Sequence, residues 1–492
     1  MIERSSGILM HITSLPNPYG IGTFGKEAYK FVDFLKKSGQ KYWQILPLGP
    51  TSIGDSPYQS FSTFAGNPYF IDFDMMEEED LLRKEDYENV DFGHDPSRVD
   101  YEKIFYNKMP ILKKAFNSGK GKYYDEIKFF KEENKNWIED YALYMAVKGQ
   151  FNLKSWQEWN EDIKLRKKEA LDYYRNKLKD EIDYFIFIQY MFFKQWAKLK
   201  GYANKNGIKI VGDIPIYVAE DSVDAWANTE IFLLNDNKRP IVVSGCPPDD
   251  FSKTGQLWGN PIYDWQYLKE TNYKWWIDRI KGNINLYDVT RIDHFRGFES
   301  FWQIPYGENT AVNGKWVKGP GIKLFNQINK ELGEIEIIAE DLGYLTKEVM
   351  DFKNTTGYPG MKVLEFAFDS REESDYLPHN YDKNCIVYTG THDNDTVMGW
   401  LKDACREDIN FAKNYLGVSS EENFNWEFIR CALSSVAKLS IVQMQDYLGL
   451  GSDARMNIPS TLGGNWQWRV DKEALNDELA QKINGITKLY GR

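Results

Sequence analysis

Four acidic positions stand where short apolar runs give way to polar loops: Asp213 in IKIVGDIP, Asp293 in YDVTRIDHFRG, Glu340 with Asp341 in IEIIAEDLG, and His392 with Asp393 in CIVYTGTHDND. Paired carboxyl groups suit cleavage of a glycosidic bond with retention. One attacks the anomeric carbon, and the other, still protonated, gives its proton to the leaving oxygen. Asp293 and Glu340, at the ends of neighbouring predicted strands, fit that division of labour. Arg291 lies two residues before Asp293, so an extended strand turns both side chains to one face, where the guanidinium favours an ionised carboxylate. The competing reading makes Asp293 the structural counter-ion of Arg291 and Arg296; four acidic sites at one rim weigh against it.

Glu340 and Asp341 are adjacent, and mutual repulsion raises the pKa of one of them, as a general acid requires. The sequence leaves open which. An exposed acidic pair at a loop start is the plainer alternative, opposed by the apolar IEIIA before it. In THDND a single histidine among aspartates is thin support for a metal site. A clamp on sugar hydroxyls by His392 and Asp393 accounts for the segment better, and no metal or cofactor is expected.

These groups need a frame that brings strand ends to one rim. Eight short apolar or β-branched runs recur, at 7–15, 42–48, 208–214, 287–293, 335–341, 363–368, 386–390 and 441–445. Many lack polar alternation, as strands buried on both faces do, and helical stretches separate them. An α/β fold of the (β/α)8 TIM-barrel type follows, in which reacting groups sit at the C-terminal ends of the strands. The chain reads as a single catalytic barrel over 1–492. Residues 70–201, rich in amphipathic helix such as NWIEDYALYMAVKGQF and DEIDYFIFIQYMFFKQWAKLK, are too long for an ordinary βα loop and read as a helical insertion. A second, irregular insertion at 219–283, rich in Pro, Gly and Trp, includes a loop at 246–265 over the expected active site.

Bulk properties narrow the partners. A net charge of -12 over 492 residues opposes nucleic acid and anionic membrane. Aromatic residues make up 15% of the chain; their faces can stack on sugars, although a large core needs them too. Four scattered cysteines without a CxxC pair suggest neither zinc nor a disulfide framework. The amino terminus, MIERSSGILMHITSL, lacks the basic start and apolar core of a signal peptide, so a cytoplasmic location is expected.

Nine ordered motifs then carry a family resemblance: SSGILMHITSLP, GDSPYQSFSTFAGNPYF, GDIPIYV, GCPPDDFSKTGQLWGNPIYDW, RIDHFRGF, IIAEDLG, PGMKVLEFAF, YTGTHDNDT and NIPSTLGGNWQWR. Over essentially its whole length the sequence resembles the amylomaltases, the disproportionating 4-α-glucanotransferases of glycoside hydrolase family 77 in the α-amylase clan. The resemblance implies transfer of α-1,4-glucan segments from malto-oligosaccharides, amylose or glycogen-derived glucans to the 4-hydroxyl of glucose or another glucan. It implies Asp293 as nucleophile, Glu340 as acid and then base, and Asp393 as stabiliser of the distorted transition state. Asp213, Arg291, His294 and His392 become substrate-contacting or pKa-setting neighbours. Pro248, Asp249, Gln256, Leu257 and Trp258 fall in a loop resembling one that leans over the cleft of the family. Tyr58, Phe366 and Asn465 with Trp466 look like further lining groups; for Trp258 and Phe366 ordinary packing is the alternative. The strand carrying Asp213 continues IPIYV and lacks the Asn-His pair of α-amylases proper, which puts a structural calcium ion in doubt. An α-glucan hydrolase using water as acceptor is the nearest rival. A catalytically idle glucan-binding protein is another, and a phosphosugar enzyme is disfavoured because no Gly-rich phosphate cradle is present.

Overall fold

The computed structural model describes residues 2–52, 54–248, 252–343 and 345–492. Its strands are β1 (Ser5–Leu9), β2 (Tyr42–Gln44), β3 (Lys209–Pro215), β4 (Val242–Cys246), β5 (Gln256–Pro261), β6 (Val289–Asp293), β7 (Ser300–Pro305), β8 (Lys315–Lys318), β9 (Ile337–Ala339), β10 (Gly360–Val363), β11 (Cys385–Tyr388) and β12 (Leu439–Gln443). Eight of them form one sheet in the order β10-β11-β12-β1-β2-β3-β6-β9, every pair parallel. Its two outer strands meet again: Ala339 N–H donates to the Pro359 carbonyl at 2.9 Å, and Met361 N–H donates to Asp341 Oδ1 at 2.7 Å. The result is a nearly closed (β/α)8 barrel.

Seven of the eight apolar runs fall on barrel strands, and the eighth touches its strand only at the end. Every residue of β1, β11 and β12 is buried, because helices cover the outside of the barrel and side chains fill its interior. One run is displaced. A strand is expected over 363–368, but β10 ends at Val363 and Leu364–Phe366 turn as a 3-10 helix. Leu364 is fully buried in that turn, so the apolar pattern continues where the strand has already stopped.

Between β2 and β3 the chain is mostly helical and ends in a helix of 27 residues, Lys179–Lys205. Ile188, Phe192, Gln195, Trp196, Leu199 and Ala203 repeat along it at three- and four-residue intervals and are all buried. Two glutamines of this helix hold the loop that leaves β2. Gln189 accepts from Gly66 N–H at 2.7 Å and donates to the Gly66 carbonyl at 2.8 Å. Gln195 does the same to Asp72, at 2.7 and 3.1 Å. Each amide meets one donor and one acceptor of the backbone, which removes the penalty of burying it.

The interval 219–283 contains β4 and β5. They join β7 and β8 in an antiparallel sheet of order β5-β4-β7-β8, order that the Gly- and Pro-rich sequence of the interval conceals. At Gly245 a Cβ would lie 2.2 Å from the Gln256 carbonyl oxygen, so only glycine lets β4 and β5 approach here. Elsewhere, Lys108 of the helix Tyr101–Gly119 is a buried cation. Its Nζ lies 4.2 Å from the centre of the Phe73 ring and has no hydrogen-bond partner among the described residues. Burial pushes its pKa down to about 7.

Candidate active site

Strand register assembles the acidic groups. In the β3–β6 pair Asp213 lies opposite Arg291, and Pro215 opposite Asp293. In the β6–β9 pair Ile292 lies opposite Ala339, so the next residues, Asp293 and Glu340, leave the barrel side by side. Arg291, only 3% exposed, reaches Asp213 Oδ2 at 2.6 Å and Asp293 Oδ1 at 2.9 Å. The Asp213 side chain is wholly buried, whereas that of Asp293 is 31% exposed.

Beyond Asp293 the chain turns sharply. His294 takes a left-handed conformation with φ 53° and ψ 46°, which costs a non-glycine residue about 1 to 3 kcal/mol. The turn aims its N–H at Glu340 Oε2, 2.7 Å away, while Leu342 N–H donates to Oε1 at 2.8 Å. Burial and the neighbouring charge of Asp293 push Glu340 up to about 7, against the opposing pull of Arg291 and the two N–H groups. From the sequence alone, Asp341 is the neighbour expected to do this. Its carboxylate instead accepts from Lys353 Nζ at 3.0 Å and from Met361 N–H, tied into the barrel seam. At Asp293 burial also raises the pKa, and Arg291 only offsets that rise. The guanidinium pairs directly with Asp293 but not with Glu340, so the shared proton belongs on Glu340.

A second arm converges from β2 and β11. Tyr58 O–H donates to Asp213 Oδ2 at 2.8 Å and lies 3.4 Å from His392 Nδ1; its ring stacks on that of His392 with centroids 5.0 Å apart. His392 Nε2 is 3.4 Å from Asp393 Oδ2, with the histidine 3% and the aspartate 44% exposed. Burial disfavours the charged imidazole, yet Asp393 raises the pKa of His392 above its ordinary value. Burial likewise opposes ionisation of Asp393, but His392 and Asn457 hold it well below the usual carboxylate range. Trp466, itself left-handed with φ 63°, packs 5.9 Å from both Tyr58 and His392.

From β5, the half-buried Trp258 meets the His294 ring edge-on at 4.7 Å and donates from Nε1 to Gln256 Oε1 at 3.0 Å. Leu257 and Pro248 are exposed; Asp249 lies outside the described residues. Thus Tyr58, Asp213, Gln256, Trp258, Arg291, Asp293, His294, Glu340, His392 and Asp393 belong to one connected cluster. Two expected members have other partners. Phe366, 37% exposed, packs against Tyr376 at 5.5 Å. Asn465 accepts from Ile458 N–H at 3.1 Å and donates to Thr461 Oγ1 at 3.0 Å, fastening its own loop. Sequence reading missed Asn457, which donates to Asp393 Oδ1 at 2.6 Å, and Arg455, which donates to the Asp393 carbonyl at 2.7 Å. Asn457 opens the motif NIPSTLGGNWQWR, but nothing in residue order pairs it or Arg455 with Asp393, more than sixty positions upstream. Among the described residues no group of three or more His, Cys, Asp or Glu side chains is arranged to hold a metal ion, and no described helix is long and apolar enough to cross a membrane.

Comparison with known proteins agrees with this geometry. Residues 10–475 match the family model described as 4-alpha-glucanotransferase. The 4-alpha-glucanotransferase of Clostridium butyricum is 58% identical over 485 residues, which span 98% of this chain and 100% of that one. That of Thermus thermophilus is 46% identical over 502 residues, spanning 100% and 99%. Among solved structures, amylomaltase from Streptococcus agalactiae in complex with acarbose has a TM-score of 0.98 at 47% identity and full coverage of both chains. With its barrel, its ordered motifs and its relatives all in accord, the chain belongs to the 4-alpha-glucanotransferase family.

Proposed function

We propose that this chain transfers α-1,4-glucan segments by a retaining double displacement centred on Asp293 and Glu340. The observation that carries the mechanism is two carboxyls side by side at the barrel rim with different partners: Asp293 pairs with the Arg291 guanidinium, while Glu340 accepts two backbone N–H groups and is pushed up to about 7 by burial and Asp293. In the first step an Asp293 oxygen bonds to the anomeric carbon of the donor as the bond from that carbon to the leaving O4 breaks. The Glu340 proton passes to that oxygen. In the second step the acceptor 4-hydroxyl attacks the same carbon, Asp293 departs, and Glu340 takes back a proton. Asp393, held anionic beside His392, steadies the positive charge that builds on the sugar ring in both steps.

Malto-oligosaccharides, amylose or glycogen-derived glucans serve as donors and glucose or another glucan as acceptor. The Streptococcus agalactiae amylomaltase, solved in complex with acarbose, supports a glucan-type ligand for this chain. Trp258 at the rim stacks the acceptor and limits water near the glucosyl intermediate, favouring transfer over hydrolysis. We take the barrel as one catalytic domain carrying insertions at 70–201 and 219–283, working in the cytoplasm; four free cysteines fit a reducing compartment. Incubation with maltotriose tests the assignment. Longer oligosaccharides should appear together with glucose, and should be absent with Asp293→Ala. Maltose and glucose without any longer product would make the chain a hydrolase instead.

A further inference from the structure

Asp393 sits in the turn between β11 and the helix Val397–Asp403, and its side chain is 44% exposed. Within that turn only His392 faces its carboxylate, at 3.4 Å. The rest of its support arrives from a distant stretch. Asn457 Nδ2 donates to Asp393 Oδ1 at 2.6 Å. Arg455 donates through Nη2 to the Asp393 carbonyl at 2.7 Å and through Nε to the Asn457 carbonyl at 2.8 Å, while its Nη1 lies 3.8 Å from Asp395 Oδ2. One guanidinium therefore fixes the backbone of the carboxylate and that of its amide partner relative to each other.

We infer that Asn457 and Arg455 are positioning residues that hold Asp393 in the orientation and charge state the reaction needs, an inference that rests on the catalytic role proposed for Asp393. Each oxygen of the carboxylate then has one partner, His392 on one side and Asn457 on the other. A carboxamide suits the second place because it donates at every pH, adds no charge to the cleft, and forms a charge-assisted bond with the ionised acid. Hydrogen bonds to the charged form also stabilise it against protonation. Arg455 keeps this geometry in place before substrate arrives, so no reorganisation is needed as charge develops on the sugar.

Asn457→Asp gives the sharpest test, because it keeps the shape of the side chain and changes only its protons. Two carboxyls in such contact cannot both ionise freely. At low pH the proton between them replaces the amide donor. As pH rises that proton is lost and repulsion pushes Asp393 away. The ratio of variant to parent kcat on maltotriose should therefore fall about tenfold or more between about pH 5 and about pH 8. Asn457→Ala, with no proton to lose, should be slower by about tenfold or more at every pH, with KM changed far less than kcat. A flat Asn457→Asp ratio, or an Asn457→Ala variant with parental kcat, overturns the inference; if Asn457→Asp does not fold, Asn457→Ala decides alone. Asp393→Asn separates the two levels. If it keeps full activity, the catalytic reading of Asp393 fails. If it is inactive while both Asn457 variants behave like the parent, only the positioning role fails.

Discussion

Replacing Glu340 by glutamine should abolish transfer and, at the same time, change how stability depends on pH. Glu340 rises from 4.5 to about 7 in the folded chain. Between those values the folded state binds a proton that the unfolded chain has released. Stability therefore falls as pH rises through the window. Treated as one group, Glu340 costs the folded state about 2 to 3 kcal/mol on going from about pH 5 to about pH 8. Glutamine is neutral throughout and escapes that loss. It carries a fixed penalty instead: both Glu340 oxygens accept backbone N–H groups, and an amide nitrogen cannot accept, so one N–H loses its partner at about 1 to 3 kcal/mol. Urea unfolding of parent and Glu340→Gln at the two pH values measures the combination. The variant should be the weaker protein at the acid end and should gain about 2 to 3 kcal/mol relative to the parent at the alkaline end. A gap that is the same at both pH values would refute the claim that the folded chain holds Glu340 protonated.

Two further expectations concern groups outside the cluster. Lys108 falls from 10.5 to about 7, so between those values the unfolded chain binds the extra proton and stability rises with pH. Lys108→Met removes that dependence and should raise the thermal midpoint more at about pH 6.5 than at about pH 9.5 by an amount equivalent to a few (~3) kcal/mol; equal shifts at both would contradict it. Asp341→Ala takes away the acceptor of Met361 N–H and Lys353 and should cost about 2 to 3 kcal/mol in denaturant unfolding. Because the state of Glu340 is set by burial and Asp293, the alkaline limb of kcat/KM should stay where it is. A displaced limb would restore Asp341 as the controlling neighbour.

Much of the frame and half of the site logic could be read from residue order. Seven of the eight barrel strands show as apolar runs because a strand covered on both faces has no polar side to interrupt the pattern. Asp293 and Arg291 could be paired because strand alternation is a two-residue rule. What failed to show is spatial. VLEFAF looks like strand throughout, since a buried 3-10 turn uses the same apolar letters. Asp341 is the sequence neighbour of Glu340, but parallel register makes Asp293 the neighbour in space. Asn457 and Arg455 reach Asp393 from another loop, and only coordinates bring them together. Phe366 and Asn465, expected to line the cleft, have Tyr376 and Thr461 as the partners that sequence order does not announce.

The two glutamines of the long helix have a wider meaning. Tyr58 precedes the segment they grip at Gly66 and Asp72, and Tyr58 in turn touches Asp213 and stacks on His392. The helical insertion is thus a splint for one wall of the cleft. Losing either amide would strand a buried N–H and a buried carbonyl of the loop that follows Tyr58, at about 1 to 3 kcal/mol for each group left without a partner.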